Sequence, residues 1–225
     1  MKLLQPNLYY TGSLLVRVHL LVEPERVTLI DTGLFGDFRR VQRAMATLGR
    51  KPGDLKAILL THGHIDHTAN AARLQEWSGA KVYAPIGDEL HIAGKFPYRG
   101  AARVAGALET VARSLLRYRA PQVDVWMRDG DELPFWGGLR VVALPGHTAG
   151  HSGYYSATKR LFFVGDLFAI SWRIVLPPSV FNTDNTRAKI SFQKGAALDA
   201  DYFVPAHYFR LGPSVARQVL RKAGH

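Results

Sequence analysis

The chain has 225 residues, of which 47% are hydrophobic, so it can bury a sizeable core as one domain. It contains no cysteine, which excludes both a disulfide framework and thiolate metal ligands. The net charge of +11 is large, but the basic residues are scattered rather than massed in one block. They are therefore more typical of a solvated surface than of a nucleic-acid site, and a nucleic-acid partner is not favoured.

The first residues do not resemble a secretory leader, because Gln5 and Pro6 interrupt the sequence before an apolar segment can form. No apolar run approaches the ~20 residues that a transmembrane helix needs. We therefore expect a cytoplasmic protein without a transmembrane segment. Nothing in the sequence predicts an oligomeric state.

Strands and helices alternate along the first third of the chain. Short apolar or alternating runs predict strands, and apolar residues at helical spacing predict helices. The predicted strands cover residues 14–22, 27–31, 57–60 and 81–84, and the predicted helices cover residues 38–48 and 68–77. Further along, short strands recur between 123 and 164, followed by a helix at 185–198, a strand at 202–204 and a helix at 214–222. This pattern predicts a single α/β domain over residues 1–225.

A helical insertion is predicted near 96–119. Val104, Leu108, Val111 and Leu115 follow one another at steps of four, three and four residues, which places them on one face of a helix. One interpretation is a surface helix packed on the sheet. The other is a helix that borders the substrate pocket, with Phe96 and Tyr98 on the loop before it.

The segment directly after the predicted strand at 57–60 concentrates metal-binding side chains. Three imidazoles and a carboxylate fall within six positions, at His62, His64, Asp66 and His67. Burying so many polar groups is costly unless each is hydrogen-bonded, paired or bound to a metal. Imidazole nitrogen and carboxylate oxygen are suitable zinc ligands, so the segment predicts a metal site at a sheet edge.

Three more ligand-capable side chains follow apolar strands later in the chain. His147 comes after Leu144-Pro145-Gly146, and Asp166 and His207 each follow an apolar strand directly or within a few residues. Any one of these residues alone would be more typical of a core or surface residue. Together with the earlier cluster they favour a shared site at one edge of a layered sheet.

This ordered set of residues resembles the metallo-β-lactamase-fold hydrolase superfamily, and within it the compact glyoxalase II-like branch. The resemblance rests on Asp31 after an early strand, the string His-x-His-x-Asp-His at 62–67, and then His147, Asp166 and His207. It implies a four-layer αβ/βα sandwich in which two sheets pack face to face with helices outside. Ala206-His207-Tyr208 departs from the Gly-His-Gly that is common in that branch.

The resemblance also implies a role for each of these side chains. One metal ion would be held by His62, His64 and His147, a second by Asp66, His67 and His207, and Asp166 would bridge them. Asp31 and His151 would support these ligands from behind, as outer carboxylates and imidazoles commonly do. The remaining histidines, His19, His91 and His225, are expected to have surface or packing roles.

Two divalent ions held ~3.5–4 Å apart can share a water molecule and lower its pKa. We expect zinc, with iron or manganese as alternatives, and a bridging hydroxide that attacks the ester, thioester or lactone carbonyl of a small-molecule substrate. Asp66 is the candidate for proton transfer. Phe96, Tyr98 and Tyr208 are candidates for substrate contact, although a packing role for Tyr208 is equally open.

Other functions of the same fold remain open. The basic charge keeps a phosphodiesterase as the first alternative, and an iron-dependent oxidoreductase is an alternative from a different class. Lactamase activity is disfavoured because those relatives lack a bridging aspartate such as Asp166. A tyrosine typical of lactonases is replaced by Ala169. A non-catalytic scaffold is disfavoured because all seven ligands are present.

Overall fold

Two β-sheets form the centre of the protein, whose structure is a computed structural model that describes residues 1–208 and 214–224. The first sheet has seven strands in sequential order, antiparallel from β1 to β4 and parallel from β4 to β7. Its strands are Lys2–Gln5 (β1), Leu8–Gly12 (β2), Arg17–Glu23 (β3), Arg26–Ile30 (β4), Leu55–Leu59 (β5), Lys81–Pro85 (β6) and Val125–Met127 (β7).

The second sheet has five strands, which are Glu132–Leu133 (β8), Leu139–Ala143 (β9), Ser152–Ser156 (β10), Leu161–Gly165 (β11) and Tyr202–Pro205 (β14). Its order is β14-β11-β10-β9-β8, with β11 and β14 parallel and the other neighbours antiparallel. A short separate ribbon pairs Ala169–Ile170 (β12) with Ile174–Val175 (β13). The helices are Asp37–Thr47 (α1), Ile65–Thr68 (α2), Ala71–Ser78 (α3), Glu89–Ile92 (α4), Ala102–Leu115 (α5), Asn185–Ala196 (α6) and Ser214–Ala223 (α7).

The sequence of β11 shows how the layers form. Side chains alternate between the two faces of a strand, and all five residues of β11 are buried, so each face must meet a core. Leu161 and Phe163 pack into a core between the two sheets. Phe162 and Val164 point the other way, into a core between the second sheet and helices α6 and α7.

A third core lies on the outer face of the first sheet, where Leu29 and Ile58 pack against Val41 and Met45 of α1 and Leu74 of α3. Three apolar cores therefore separate four layers, helix, sheet, sheet and helix. The predicted α/β sandwich is confirmed.

Two predicted elements differ from the structure by more than small shifts of their ends. The strand expected at 14–22 begins only at Arg17, and Leu14 and Leu15 lie exposed before it. The helix expected at 68–77 is divided into α2 and α3. The division lies at Asn70, whose buried amide donates hydrogen bonds to the carbonyls of Thr32, Gly33 and Leu34, a long-range contact that helical periodicity cannot reveal.

The exposure of α5 corrects one interpretation of the helix predicted near 96–119, that of a surface helix packed on the sheet. The four apolar residues Val104, Leu108, Val111 and Leu115 are all exposed, by 58 to 76%. The outer face of the first sheet is already covered by α1 and α3, so α5 packs instead against α2 and the turn Ser179–Phe181. Among residues 1–208 and 214–224, a membrane-spanning helix is not found.

One edge of the sandwich collects the carboxyl ends of strands from both sheets. Asp31 follows β4, and residues 62–67 follow β5 in the first sheet. His147 comes after β9, Asp166 directly after β11, and His207 just after β14 in the second sheet. Loops at the ends of rigid strands are suitable places to present ligands, and this edge therefore positions the site.

Candidate metal centre

The seven predicted ligands lie together at this edge. Their ligand atoms form three overlapping groups, each with all atoms within 4.8 Å of one another. The groups are His62 with His64 and His147, His62 with His67 and Asp166, and Asp66 with His67 and His207. Each group has the size and the donor chemistry to hold one divalent ion.

We call the group of His62, His64 and His147 the first outer group, and the group of Asp66, His67 and His207 the second outer group. Asp166 lies between the histidines of these two groups. Its Oδ2 atom is 3.3 Å from His147 Nε2 and 3.1 Å from His207 Nε2, and its Oδ1 atom is 3.4 Å from His67 Nε2. The first outer group is closed by His64 Nδ1, 3.0 Å from His147 Nε2. In the second, Asp66 Oδ2 is 3.4 Å from His207 Nε2.

Unpartnered polar atoms support a metal at this site. His62 Nε2, His67 Nε2 and Asp166 Oδ1 are buried and have no hydrogen-bond partner among the described residues. A buried polar atom without a partner costs about 1–3 kcal/mol, and such atoms are uncommon in proteins. Here all three point into the same cluster, so the residues fit a metal ion as the missing partner.

Asp31 orients His67 and holds the adjoining loop. Its carboxylate accepts a hydrogen bond from His67 Nδ1 at 2.8 Å, which directs His67 Nε2 into the cluster. It also accepts hydrogen bonds from the backbone amide and hydroxyl of Thr61, each at 2.8 Å. Asp31 itself has a φ of +59°, in the left-handed region that residues other than glycine seldom adopt.

His151 and Asn182 act on the other side of the cluster. His151 Nδ1 donates to the Leu144 carbonyl, so its Nε2 accepts the backbone N–H of Asp166 at 3.0 Å. Asn182 Oδ1 is 3.1 Å from His147 Nδ1. The sequence suggested His151 as a supporting residue but gave Asn182 no role at this site. Asp184 caps the helix that follows Asn182.

Asp88 is a buried residue that the sequence interpretation missed. Its carboxylate accepts the Gly63 amide at 2.8 Å, the Thr148 hydroxyl at 2.6 Å and the Gly150 amide at 2.6 Å. It thereby joins the loop that carries His62 and His64 to the loop that carries His147. One signal was present in the sequence, because Asp88 follows β6 just as the ligands follow other strands.

A second missed feature connects α5 to the ligand loop. Glu109 accepts the backbone N–H of Ile65 at 2.9 Å, at the start of the helix that carries Asp66 and His67. Arg113 donates to Glu109 at 2.7 Å and to the carbonyls of Gly63 and His91 at 2.8 and 2.9 Å. The pair lies one turn apart on the helix, so the insertion is fixed to the loop that carries the candidate ligands.

The electrostatics of the cluster are divided between its members. Burial, and then the neighbouring His67, lower the pKa of His62 well below its ordinary value. Burial opposes protonation of His67 and His207, but the nearby carboxylates outweigh it, so the pKa of His67 is raised well above normal and that of His207 to about 9. Burial tends to raise the pKa of Asp166, but the neighbouring His207 and His67 outweigh it and hold that pKa well below its ordinary value. The cluster therefore stabilises positive charge on His67 and His207, beside the carboxylates, and disfavours it on His62.

A cavity of about 460 Å³ opens beside the ligands and is bordered by Leu108 and Glu109 of α5. Tyr98 lines it, as one of the candidates for substrate contact, and its hydroxyl donates to Glu109. Phe96 instead stacks on His91, with ring centroids 3.6 Å apart, and is not part of the lining. Tyr208 is 4% exposed and lies in the core between the second sheet and helices α6 and α7. Its hydroxyl is 3.4 Å from His19 Nε2, so Tyr208 has a packing role and does not line the cavity.

The remaining histidines do not join the cluster. His19 is buried in β3, where burial lowers its pKa to about 3, and His91 is buried beside Asp88. Both therefore have packing roles. His225 lies outside the described residues.

The comparison with known families agrees with this arrangement. The sequence model of the Metallo-beta-lactamase superfamily matches residues 12–207, a range that includes all seven ligand candidates. A solved metallo-beta-lactamase family protein from Thermus thermophilus has a similar fold, with a TM-score of 0.78 and 24% identity over 99% of this chain and 80% of that one.

Two curated relatives have modest sequence identity. Hydroxyacylglutathione hydrolase GloC of Haemophilus influenzae is 27% identical over 64% of this chain and 62% of its own length. The probable metallo-hydrolase YybB of Bacillus subtilis is 30% identical over 68% of this chain and 61% of its own length. The matched region thus spans less than two thirds of either relative. The family model covers most of the chain, and the protein therefore belongs to the metallo-beta-lactamase superfamily.

Proposed function

We propose that the protein is a dinuclear metal-dependent hydrolase that cleaves an ester, thioester or lactone bond of a small-molecule substrate. The observation that carries this proposal is the convergence of five histidines and two aspartates on one cluster. Three of its atoms, His62 Nε2, His67 Nε2 and Asp166 Oδ1, are buried without a hydrogen-bond partner among the described residues. The names of the relatives support it, since one is a hydroxyacylglutathione hydrolase and another a probable metallo-hydrolase.

The donor set favours two ions, most naturally zinc. One ion would be held by His62, His64 and His147, and the other by Asp66, His67 and His207, with Asp166 between them. Imidazole and carboxylate donors suit Zn²⁺, and Fe²⁺ or Mn²⁺ can use the same set. When bound, such a pair of ions supplies a water of lowered pKa and Lewis acidity toward a carbonyl oxygen.

The chain's own residues hold the reacting groups in place. Asp31, His151 and Asn182 fix the direction of His67, the Asp166 backbone and His147. Asp66 lines the cavity with a side chain that is 30% exposed, so it is the carboxylate best placed to exchange a proton with solvent or a leaving group. The cavity beside it has the size of a small-molecule site.

A hydrolase screen with paired metal analysis tests this proposal. Purified protein loaded with zinc should hydrolyse at least one class among aryl esters, thioesters and lactones, and chelation should remove that activity. Hydrolysis confined to phosphodiesters would contradict the proposed bond class. Full activity after complete metal removal would contradict the proposed chemistry. So would a purified protein that contains iron, shows its absorption spectrum, and catalyses only a redox reaction.

Replacing Asp66 tests its dual role. Asp66→Ala should abolish turnover and weaken binding at the group that contains His67 and His207, as measured by metal content. Asp201→Ala is a suitable control because this exposed carboxylate pairs with Arg160 at the opposite end of β14 from His207. Full activity of Asp66→Ala with two ions bound would show that Asp66 has no such role.

A further inference from the structure

The cavity beside the metal-binding cluster has two chemically different parts. One part of its lining consists of candidate ligands such as His64, Asp66 and His207, and we call this part the floor. The rest of the lining, which we call the walls, is chiefly apolar and includes Leu108, Ala112, Phe168, Pro177, Pro178 and Phe181. The reacting bond would lie at the polar floor, and the rest of the substrate would contact the apolar walls.

The polar side chains of the wall are already engaged with one another. Tyr98 and Glu109 line the cavity, and the Tyr98 hydroxyl donates to the Glu109 carboxylate. Glu109 also accepts the Ile65 amide and a guanidinium N–H of Arg113. A charged substrate group would have to displace these contacts to gain a hydrogen bond from the wall.

The charge of the wall is unlike that of the whole chain. The chain has 29 lysines and arginines, yet neither type lines this cavity within the part of the chain that the structure describes. Arg113 lies behind the wall and directs its guanidinium to the carbonyls of Gly63 and His91. Among the described residues, a carboxylate or phosphate remote from the reacting bond would therefore meet Glu109 and apolar carbon rather than a cation, at a high desolvation cost.

We propose that the substrate group held by these walls is apolar and uncharged, so that the preferred substrates are neutral esters, thioesters or lactones with a hydrocarbon group. This inference rests on the proposed hydrolase function. It separates the chain's substrate preference from that of an enzyme for anionic thioesters such as glutathione conjugates. The group can belong to the acyl part or to the leaving part, because both are attached to the carbonyl at the floor.

Two series of neutral substrates test the proposal with the zinc-loaded protein. One series lengthens the acyl chain of an aryl ester from two to eight carbons, and the other lengthens the alkyl chain of a thiol leaving group. In at least one of the two series, kcat/KM should rise by about fourfold for each added methylene group until the cavity is filled. S-lactoylglutathione should be a poorer substrate than the medium-chain compounds. Flat chain-length profiles in both series, or a preference for the glutathione thioester, would overturn the proposal.

Helix α5 offers a matched pair of variants. Leu108 lines the cavity, whereas Val104, one turn earlier, does not, and both side chains are 63% exposed. Leu108→Asp should remove most of the chain-length gain, and Val104→Asp should leave it unchanged. Equal effects of the two substitutions would contradict a role for the wall in binding.

A binding measurement keeps this test separate from the proposed activity. The neutral fluorophore N-phenyl-1-naphthylamine should bind the wild-type protein and Val104→Asp, and it should bind Leu108→Asp at least about tenfold more weakly. If the probe binds in this pattern but no substrate is hydrolysed, the proposed function fails and the apolar site stands. If hydrolysis occurs and the probe does not discriminate between the variants, the apolar site fails and the hydrolase stands.

Discussion

Asp88 shows how one buried residue can hold together the two loops that carry the candidate ligands His62, His64 and His147. Its carboxylate accepts donors from Gly63, Thr148 and Gly150, and His91 Nδ1 lies 3.3 Å away. Asp88→Ala would leave these buried donors without an acceptor, so we expect a loss of about 3–5 kcal/mol in unfolding free energy and less than the full complement of metal. Thermal unfolding and metal analysis measure both effects.

The matched control for this prediction is Glu132→Gln, since Glu132 is an exposed carboxylate in β8. It should unfold at the wild-type temperature and bind the same amount of metal. Wild-type stability and metal content in Asp88→Ala would show that the two loops keep their positions without it.

The raised pKa values of His67 and His207 predict the pH dependence of the metal-free protein. Burial favours the neutral imidazole, but the surrounding carboxylates outweigh it and raise the pKa of His207 from 6.5 to about 9. A raised pKa in the folded state contributes stability that is complete below pH 6.5 and is lost as pH rises through about 9. The melting temperature of chelated protein should therefore fall over this window, by about 2–4 °C for each kcal/mol lost.

The zinc-loaded protein is the comparison for this titration. Its ions replace the two protons, so its melting temperature should fall less between pH 6.5 and 9. A melting temperature of the chelated protein that stays constant or rises over this interval would contradict protonation of these histidines by the carboxylates.

At the scale of elements, α5 depends on two side chains for its position over the site. Arg113 donates to the carbonyls of Gly63 and His91, and Glu109 accepts the Ile65 amide. Arg113→Met keeps the apolar stem but removes the charged donors, which are worth about 1.5–3 kcal/mol each. Amide hydrogen exchange in α5 should accelerate by at least about tenfold, and KM should rise more than kcat falls.

Arg103→Met is the control on the same helix, because Arg103 is exposed and lies on the first turn of α5. It should leave both exchange and KM near their wild-type values. Equal protection of α5 in the two variants would mean that its packing against the turn Ser179–Phe181 suffices to hold it.

The elements also show what the sequence could reveal. The convergence of the candidate ligands was predictable because each follows an apolar strand, and parallel strands end at one edge of their sheet. The environment of α5 was not, because the spacing of Val104 and Leu108 reports an apolar face but not which surface it meets. The break between α2 and α3 was also hidden, because it depends on contacts of Asn70 with Thr32 and Leu34, which are distant in sequence. Asn182 was missed for the same reason, whereas Asp88 was missed although it follows strand β6 as the candidate ligands follow other strands.

At the scale of the whole molecule, the candidate ligands connect the two sheets. Residues 62–67 follow β5 of the first sheet, whereas His147, Asp166 and His207 follow strands of the second. Bound ions would therefore resist separation of the two halves as well as complete a site. At about 100 times its dissociation constant, a ligand specific for the folded state adds about 2.7 kcal/mol, so zinc should raise the melting temperature of chelated protein by about 5–10 °C. Magnesium, which prefers oxygen donors, should raise it much less.

The most direct test of the central claim is anomalous X-ray diffraction from crystals of the zinc-loaded protein, measured on both sides of the zinc absorption edge. Two anomalous peaks are predicted, one on each side of the Asp166 carboxylate. One peak should contact His62, His64 and His147, and the other should contact Asp66, His67 and His207. A single peak or none at saturating zinc, or peaks remote from these side chains, would contradict the dinuclear centre.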